Sequence, residues 1–135
     1  MVLVDTNIVA YLLIDGDFTE AAQGLRKRDP DWRSEAFLMI EFINVLVAST
    51  AARRMTLPLA TDFLAKADAL LEGKLARISH AAALAIAVRL RVSAYDARFL
   101  ALANQLGSRL VTEDAKLRAA APRLTQSLSE ALAAV

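Results

Sequence analysis

Cysteine is absent from this chain, which excludes a disulfide framework, a thiolate zinc site and any cysteine nucleophile. Such a composition suits a reducing compartment. Histidine occurs once, at position 80, so any hydrolase built on Ser, His and Asp would have to use that residue. Aromatic residues make up only 6% while 56% of the chain is hydrophobic. The core must therefore be built from alanine and branched aliphatics, and disorder is excluded as the main state. An excess of one charge is lacking too. Sixteen Lys and Arg against fifteen Asp and Glu leave +1, without the broad basic field that drives nonspecific nucleic-acid binding. Contact with nucleic acid must be local. Long hydrophobic runs are also missing: residues 36–48 are broken by Glu41 and Asn44, and residues 81–88 are too few to span a bilayer. Met1 to Val4 leads straight into Asp5 with no basic segment and no long apolar one, so no secretory signal is read. The expectation is a cytoplasmic protein without membrane association, folded as a single domain over residues 1–135.

What the chain does contain is alternation. Residues 2–4 favour a strand, and Asp5-Thr6-Asn7 supplies both a turn and an N-cap for a helix over 8–14. Asp15-Gly16-Asp17 breaks it, and a second helix over 18–28 ends in Arg26-Lys27-Arg28, as suits a helix C-terminus. A short strand over 32–36 precedes a long helix over 37–54, and Pro58 sits in the first turn of a helix reaching residue 72. After Gly73 come a strand over 75–78, a Ser79-capped helix over 80–90, an extended run at 92–95 reaching Asp96, a helix over 97–106, and a last strand over 109–112. Short strands alternating with longer helices predict an α/β fold, a mainly parallel sheet covered on both faces.

Four carboxylates do not read as surface charges. Asp5, Asp96 and Asp114 each fall at or soon after an apolar strand, which in an open parallel sheet places them at the carboxyl edge where ligands bind. Taken singly, each could merely cap the following helix. Glu41 lies between Phe37-Leu38-Met39-Ile40 and Phe42-Ile43, on a helix apolar nearly all round and so expected to be largely buried. A carboxylate so placed must be protonated, paired or metal-bound, and no Lys or Arg lies within a turn. Asn44, at i+3, offers the plainer alternative of a hydrogen bond. If the four acids converge, they cannot all stay ionised without a counter-charge. Oxygen donors alone select a hard ion, Mg²⁺ or Mn²⁺, and such a cluster suits phosphodiester hydrolysis.

Val4-Asp5-Thr6-Asn7, Glu41-x-x-Asn44-x-Leu46, Tyr95-Asp96 opening Ala97 to Ala103, and Thr112-Glu113-Asp114 with Leu117 together resemble the PIN-domain ribonucleases, most closely the VapC-type toxins of prokaryotic toxin–antitoxin pairs. The ordered set covers essentially the whole chain. The resemblance implies a PIN-like sheet of about five parallel strands flanked by helices, Mg²⁺- or Mn²⁺-dependent cleavage of RNA, a homodimer, and inhibition by a small antitoxin protein. It matches Asp5, Glu41 and Asp96 to the family's core acids and Asp114 to a more variable fourth. Asp5 and Asp96 then ligate the main ion, while Glu41 and Asp114 tune it or admit a second. Thr6 and Thr112 match small hydroxyl positions beside the acids, and Asn7 completes the first motif. One departure is the stretch Trp32-Arg33-Ser34-Glu35, which replaces a Pro-containing approach common in relatives.

Other hydrolase readings fare worse. A haloacid-dehalogenase-type phosphatase needs a second aspartate where Asn7 stands, and a receiver domain needs paired acids after the first strand and a lysine after the last. His80 stands beside Ser79 at a helix start, and no G-x-S-x-G elbow surrounds any serine. Arg98, Lys116 and Arg118, close in sequence to the acids, are candidate RNA phosphate contacts or ordinary solvated charges. Helices 37–54 and 58–72 form an αα-hairpin able to grip another chain. A PIN fold retained for binding without turnover and an unpaired RNA-processing nuclease remain the alternatives.

Overall fold

Helix starts follow the oxygens that the sequence provides. In the computed structural model, which describes residues 1–134, Asp5 caps α1 (Thr6–Leu13) by accepting from the Ile8 N–H. Later in the chain Ser93 caps α6 (Ala94–Leu106) and Asp114 caps α7 (Ala115–Ala120) in the same way. The other helices are α2 (Thr19–Arg28), α3 (Leu38–Ala51), α4 (Leu57–Leu71), α5 (His80–Leu90) and α8 (Leu128–Ala133). Five short strands, β1 (Val2–Val4), β2 (Trp32–Glu35), β3 (Leu75–Ala76), β4 (Leu110–Val111) and β5 (Thr125–Gln126), form one sheet in the order β3-β2-β1-β4-β5. Every pairing is parallel, with Leu3 in register with Arg33 on one side and Leu110 on the other.

This order decides where the site lies. The chain winds from β1 outward through β2 to β3, then returns to the other side of β1 and winds outward again through β4 to β5. Right-handed crossovers send the helices of the two halves to opposite faces, and the strand order reverses between β1 and β4. A crevice therefore opens beyond the carboxyl ends of those two strands. Leu3, Val4, Leu110 and Val111 are buried beneath it, with Ile8, Phe42, Leu100 and Leu117 packed around them. Among the described residues no helix is long and apolar enough to cross a membrane.

Three expectations need correction. Residues 92–95 form no strand: Ser93 is an N-cap, and Asp96 sits in the first turn of α6. The hydroxyl of a serine followed by good helix formers outweighed the apolar look of the run. β4 is not the last strand, because Thr125 and Gln126 add a fifth beyond it. And α3 is apolar without being buried all round: Leu38, Phe42 and Leu46 face the core, whereas Ile40, Ile43 and Val47 are exposed.

Candidate functional site

The crevice predicted by the strand order is lined by Asp5, Thr6, Asn7, Glu41, Asn44 and Asp96, with Asp114 at its rim over Leu117. Each acid reaches it by a different route. Asp5 follows β1 directly, Asp114 follows β4, Glu41 comes from α3 on one side, and Asp96 from the first turn of α6 on the other. Hydrogen bonds fix three of them. Thr6 Oγ1 donates to Glu41 Oε1 at 2.7 Å, whereas the alternative donor Asn44 has its side chain exposed on the pocket wall. Thr112 is fully buried and its hydroxyl bonds Asp5, which also accepts from Ile8 N–H at 3.2 Å. Asp114 Oδ1 accepts from the backbone of Lys116 and Leu117 at 3.0 and 3.1 Å.

Desolvation dominates the electrostatics, and mutual repulsion adds to it. Burial pushes the Asp5 carboxyl up from 3.8 to about 6, the charges of Glu41 and Asp96 push the same way, and the bonds from Thr112 and Ile8 oppose them. Glu41 is raised by burial and by the charges of Asp96 and Glu35, against the pull of Thr6. Asp96 is raised by burial and by Asp114, against the Ser93 bond. The acids therefore feel one another, and among the described residues no Lys or Arg lines the pocket to relieve them.

The family follows from comparison with known proteins. The PIN domain family matches residues 2–122. The chain belongs to the PIN domain family. PIN domains are in general nucleases, so the fold is a nuclease fold. Among solved structures, the crystal structure of PAE2754 from Pyrobaculum aerophilum is similar to this PIN domain, with a TM-score of 0.73 at 21% identity over 97% of this chain and 92% of that one. No curated protein matches the sequence.

The basic residues singled out from the sequence occupy places of their own. Arg98 Nη1 lies 3.7 Å from Glu35 Oε2, and its Nη2 lies 3.1 Å from His80 Nδ1, in a pocket beside the acidic one. Arg118 donates to the Thr112 carbonyl at 2.9 Å and stands 3.6 Å from Glu113, bracing the end of β4. Lys116 is exposed. His80 opens α5 beside the capping Ser79.

Sequence reasoning missed Glu35. It is 1% exposed at the carboxyl end of β2 and so stands on the same edge as Asp5. The rule that found Asp5, an acid closing an apolar strand, would have found it too had Arg33 and Ser34 not made that strand look polar.

Proposed function

We propose that this PIN domain is a Mg²⁺- or Mn²⁺-dependent ribonuclease and the toxin of a type II toxin–antitoxin pair. The observation that carries the nuclease half is a pocket at the strand-order reversal in which Asp5, Glu41 and Asp96 all have raised pKa values, with no cation in its lining. Among the described residues no three acids, imidazoles or thiols are already arranged to hold a metal ion. The donor chemistry still fits a hard divalent ion: every candidate ligand is a carboxylate, and their repulsion is what such an ion relieves. Asp5 and Asp96 would hold it, with Glu41 and Asp114 completing or tuning the charge. A bound ion supplies activation of water and neutralisation of the charge that grows on the phosphoryl oxygens.

The protein's own groups do the rest. Thr6 and Thr112 orient Glu41 and Asp5, and both hydroxyls are buried and engaged, so neither is free to attack phosphorus. Asn7 and Asn44, exposed at the rim, can bond the ribose and phosphate of the RNA. Water attacks phosphorus as the P–O bond to the leaving oxygen breaks, and a proton from the water passes by way of solvent to the leaving oxygen, giving one phosphate end and one hydroxyl end, with no covalent enzyme intermediate and no side chain serving as general base. Cleavage mapping on a total RNA pool, with and without chelator, tests this. Cuts at defined positions that require the ion support it.

The toxin half rests on the α3–α4 hairpin, where Ile43, Leu46, Val47, Leu57, Ala60 and Leu64 line an apolar groove of about 130 Å³. In this reading an antitoxin segment packs there and carries a basic side chain past Glu41, on the same helix, to the acidic pocket, which blocks the site. Homodimerisation covers other exposed apolar positions, such as Leu84 and Val88 on α5. Expression alone should slow growth, and co-expression with the small partner should relieve it and yield a co-purifying complex. A protein that is harmless alone, active on RNA and without a partner would be an unpaired processing nuclease. The unassembled state of the acids favours one further reading, a PIN fold that binds RNA without turnover; RNA binding with no cleavage in either Mg²⁺ or Mn²⁺ would establish it.

A further inference from the structure

Beside the acidic pocket, and separate from it, lies a basic and aromatic one of about 230 Å³ bounded by Glu35, Phe37, Arg77, His80 and Arg98. At about 30 Å³ per water it has room for several waters or a phosphate group. Its parts are held in place. The Phe37 and Tyr95 rings stack at 5.3 Å between centroids and 13° between planes, and the Arg98 guanidinium sits 5.8 Å from the Phe37 ring centre. Beneath, the buried Glu35 carboxylate pairs with Arg98, and its Oε2 has no hydrogen-bond partner of its own. Replacing a buried ion pair by apolar residues is often neutral or stabilising, so stability alone does not account for this one. Arginine has donors only, so His80 Nδ1 must accept from Arg98, which leaves the His80 proton on Nε2. Arg77 and His80 are exposed at the mouth. Tyr95 is 58% exposed and is the residue before Asp96, and Phe37 lies one turn before Glu41.

An acidic pocket repels a phosphodiester, and a chain with a net charge of +1 has no general basic field to offset that. Unpaired RNA bases, by contrast, stack on exposed aromatic faces, with neighbouring phosphates on basic groups. We propose that the Tyr95 ring, backed by Phe37, stacks an unpaired base of single-stranded RNA next to the scissile position, and that Arg77, Arg98 and the His80 Nε2–H hold the adjoining phosphate. Glu35 acts through Arg98 as a positioning residue. This assignment rests on the ribonuclease reading and adds to it the residues that seat the base and the phosphate beside the scissile position.

The test measures binding of a short single-stranded RNA carrying 2-aminopurine, in the Asp5→Asn background to stop turnover, across a range of salt. Arg98 is left alone because its removal strips buried Glu35 of its cation. Tyr95→Ala should weaken binding about tenfold. It should also abolish the quenching of 2-aminopurine without changing the salt dependence, and Tyr95→Phe should restore both. Arg77→Ala should lower the slope of log affinity against log salt by about 0.7. Tyr95→Ala that binds and quenches like its parent overturns the proposal, as does a loss confined to capture of a protein partner. If the unmutated protein cleaves RNA while Tyr95→Ala binds unchanged, the subsite alone falls. If the unmutated protein neither binds nor cleaves RNA, the ribonuclease reading falls and the subsite with it.

Discussion

At the amino edge of the sheet, just before β2, Asp31 accepts from Lys74 Nζ at 2.9 Å and Arg33 Nε at 3.1 Å, which hold its carboxyl down at about 2. Its neighbour Asp29 is held low in the same way, chiefly by the amino-terminal ammonium at 2.7 Å. At the carboxyl edge, burial and the charges of Glu41 and Asp96 drive Asp5 up to about 6. One fold thus carries aspartates that are satisfied at one end and strained at the other. Exposed pairs such as those of Asp31 contribute little and need no purpose beyond solvation. A cluster of carboxyls pushed up together must be relieved by a proton or by a bound cation, and such perturbed groups concentrate at functional sites, so the carboxyl edge and not the amino edge is the place to look for a ligand.

Breaking the strained end should cost activity, and breaking the satisfied end should not. Asp96→Asn and Glu41→Gln are expected to lower RNA cleavage about a hundredfold or more, while Asp31→Asn stays within about twofold, all scored on the same RNA pool. Ion binding sharpens the contrast next. At a hundredfold excess of Mg²⁺ over its Kd the unmutated protein and Asp31→Asn should each gain about 2.7 kcal/mol, read from thermal denaturation, and Asp96→Asn should gain much less.

Titration in the absence of metal separates the two edges by sign. Asp5 binds its proton more tightly folded than unfolded, so the stability it contributes is present below pH about 4 and is lost as pH rises to about 6. The loss is at most about 3 kcal/mol, and denaturation of Asp5→Asn against the unmutated protein between those limits should show it as a growing advantage of the variant. The smallest effect belongs to Asp31, whose depressed pKa gives stability that is present above pH about 4 and lost as pH falls towards 2. Because the group is exposed, added salt should remove most of that dependence.

Much of this was legible in the chain. Val2 to Val4 running into Asp5-Thr6-Asn7 marked both a strand and the cap that follows it, and the Gly73 and Gly107 stops separated the later elements. Both glycines take left-handed backbone conformations, with φ of 71° and 62°. What was not legible depended on tertiary contact. Residues 92–95 looked extended because their side chains are apolar, yet the Ser93 hydroxyl bonds the Asp96 N–H at 3.0 Å and starts a helix. Thr125 and Gln126 are too short a run to read as a strand until β4 offers an edge to pair with. In the site, the pattern around Glu41 showed that it needed a partner, but Thr6, 35 residues away in sequence, is a neighbour only after α1 packs on α3. The pairing of Glu35 with Arg98 escaped notice for the same reason, since only the sheet brings the end of β2 beneath α6.

The claim at the centre of this account is that the acids of the carboxyl edge cleave RNA with the help of a divalent ion. The most direct measurement is cleavage of RNA by the purified protein and by Asp5→Asn prepared identically, each in Mg²⁺ and in excess EDTA. Asparagine keeps the cap on α1 and the shape of the side chain, so the variant isolates the charge. The account predicts cleavage by the unmutated protein in Mg²⁺ and in neither of the other arms. Cleavage by Asp5→Asn at the unmutated rate, or cleavage that persists in EDTA, would contradict it.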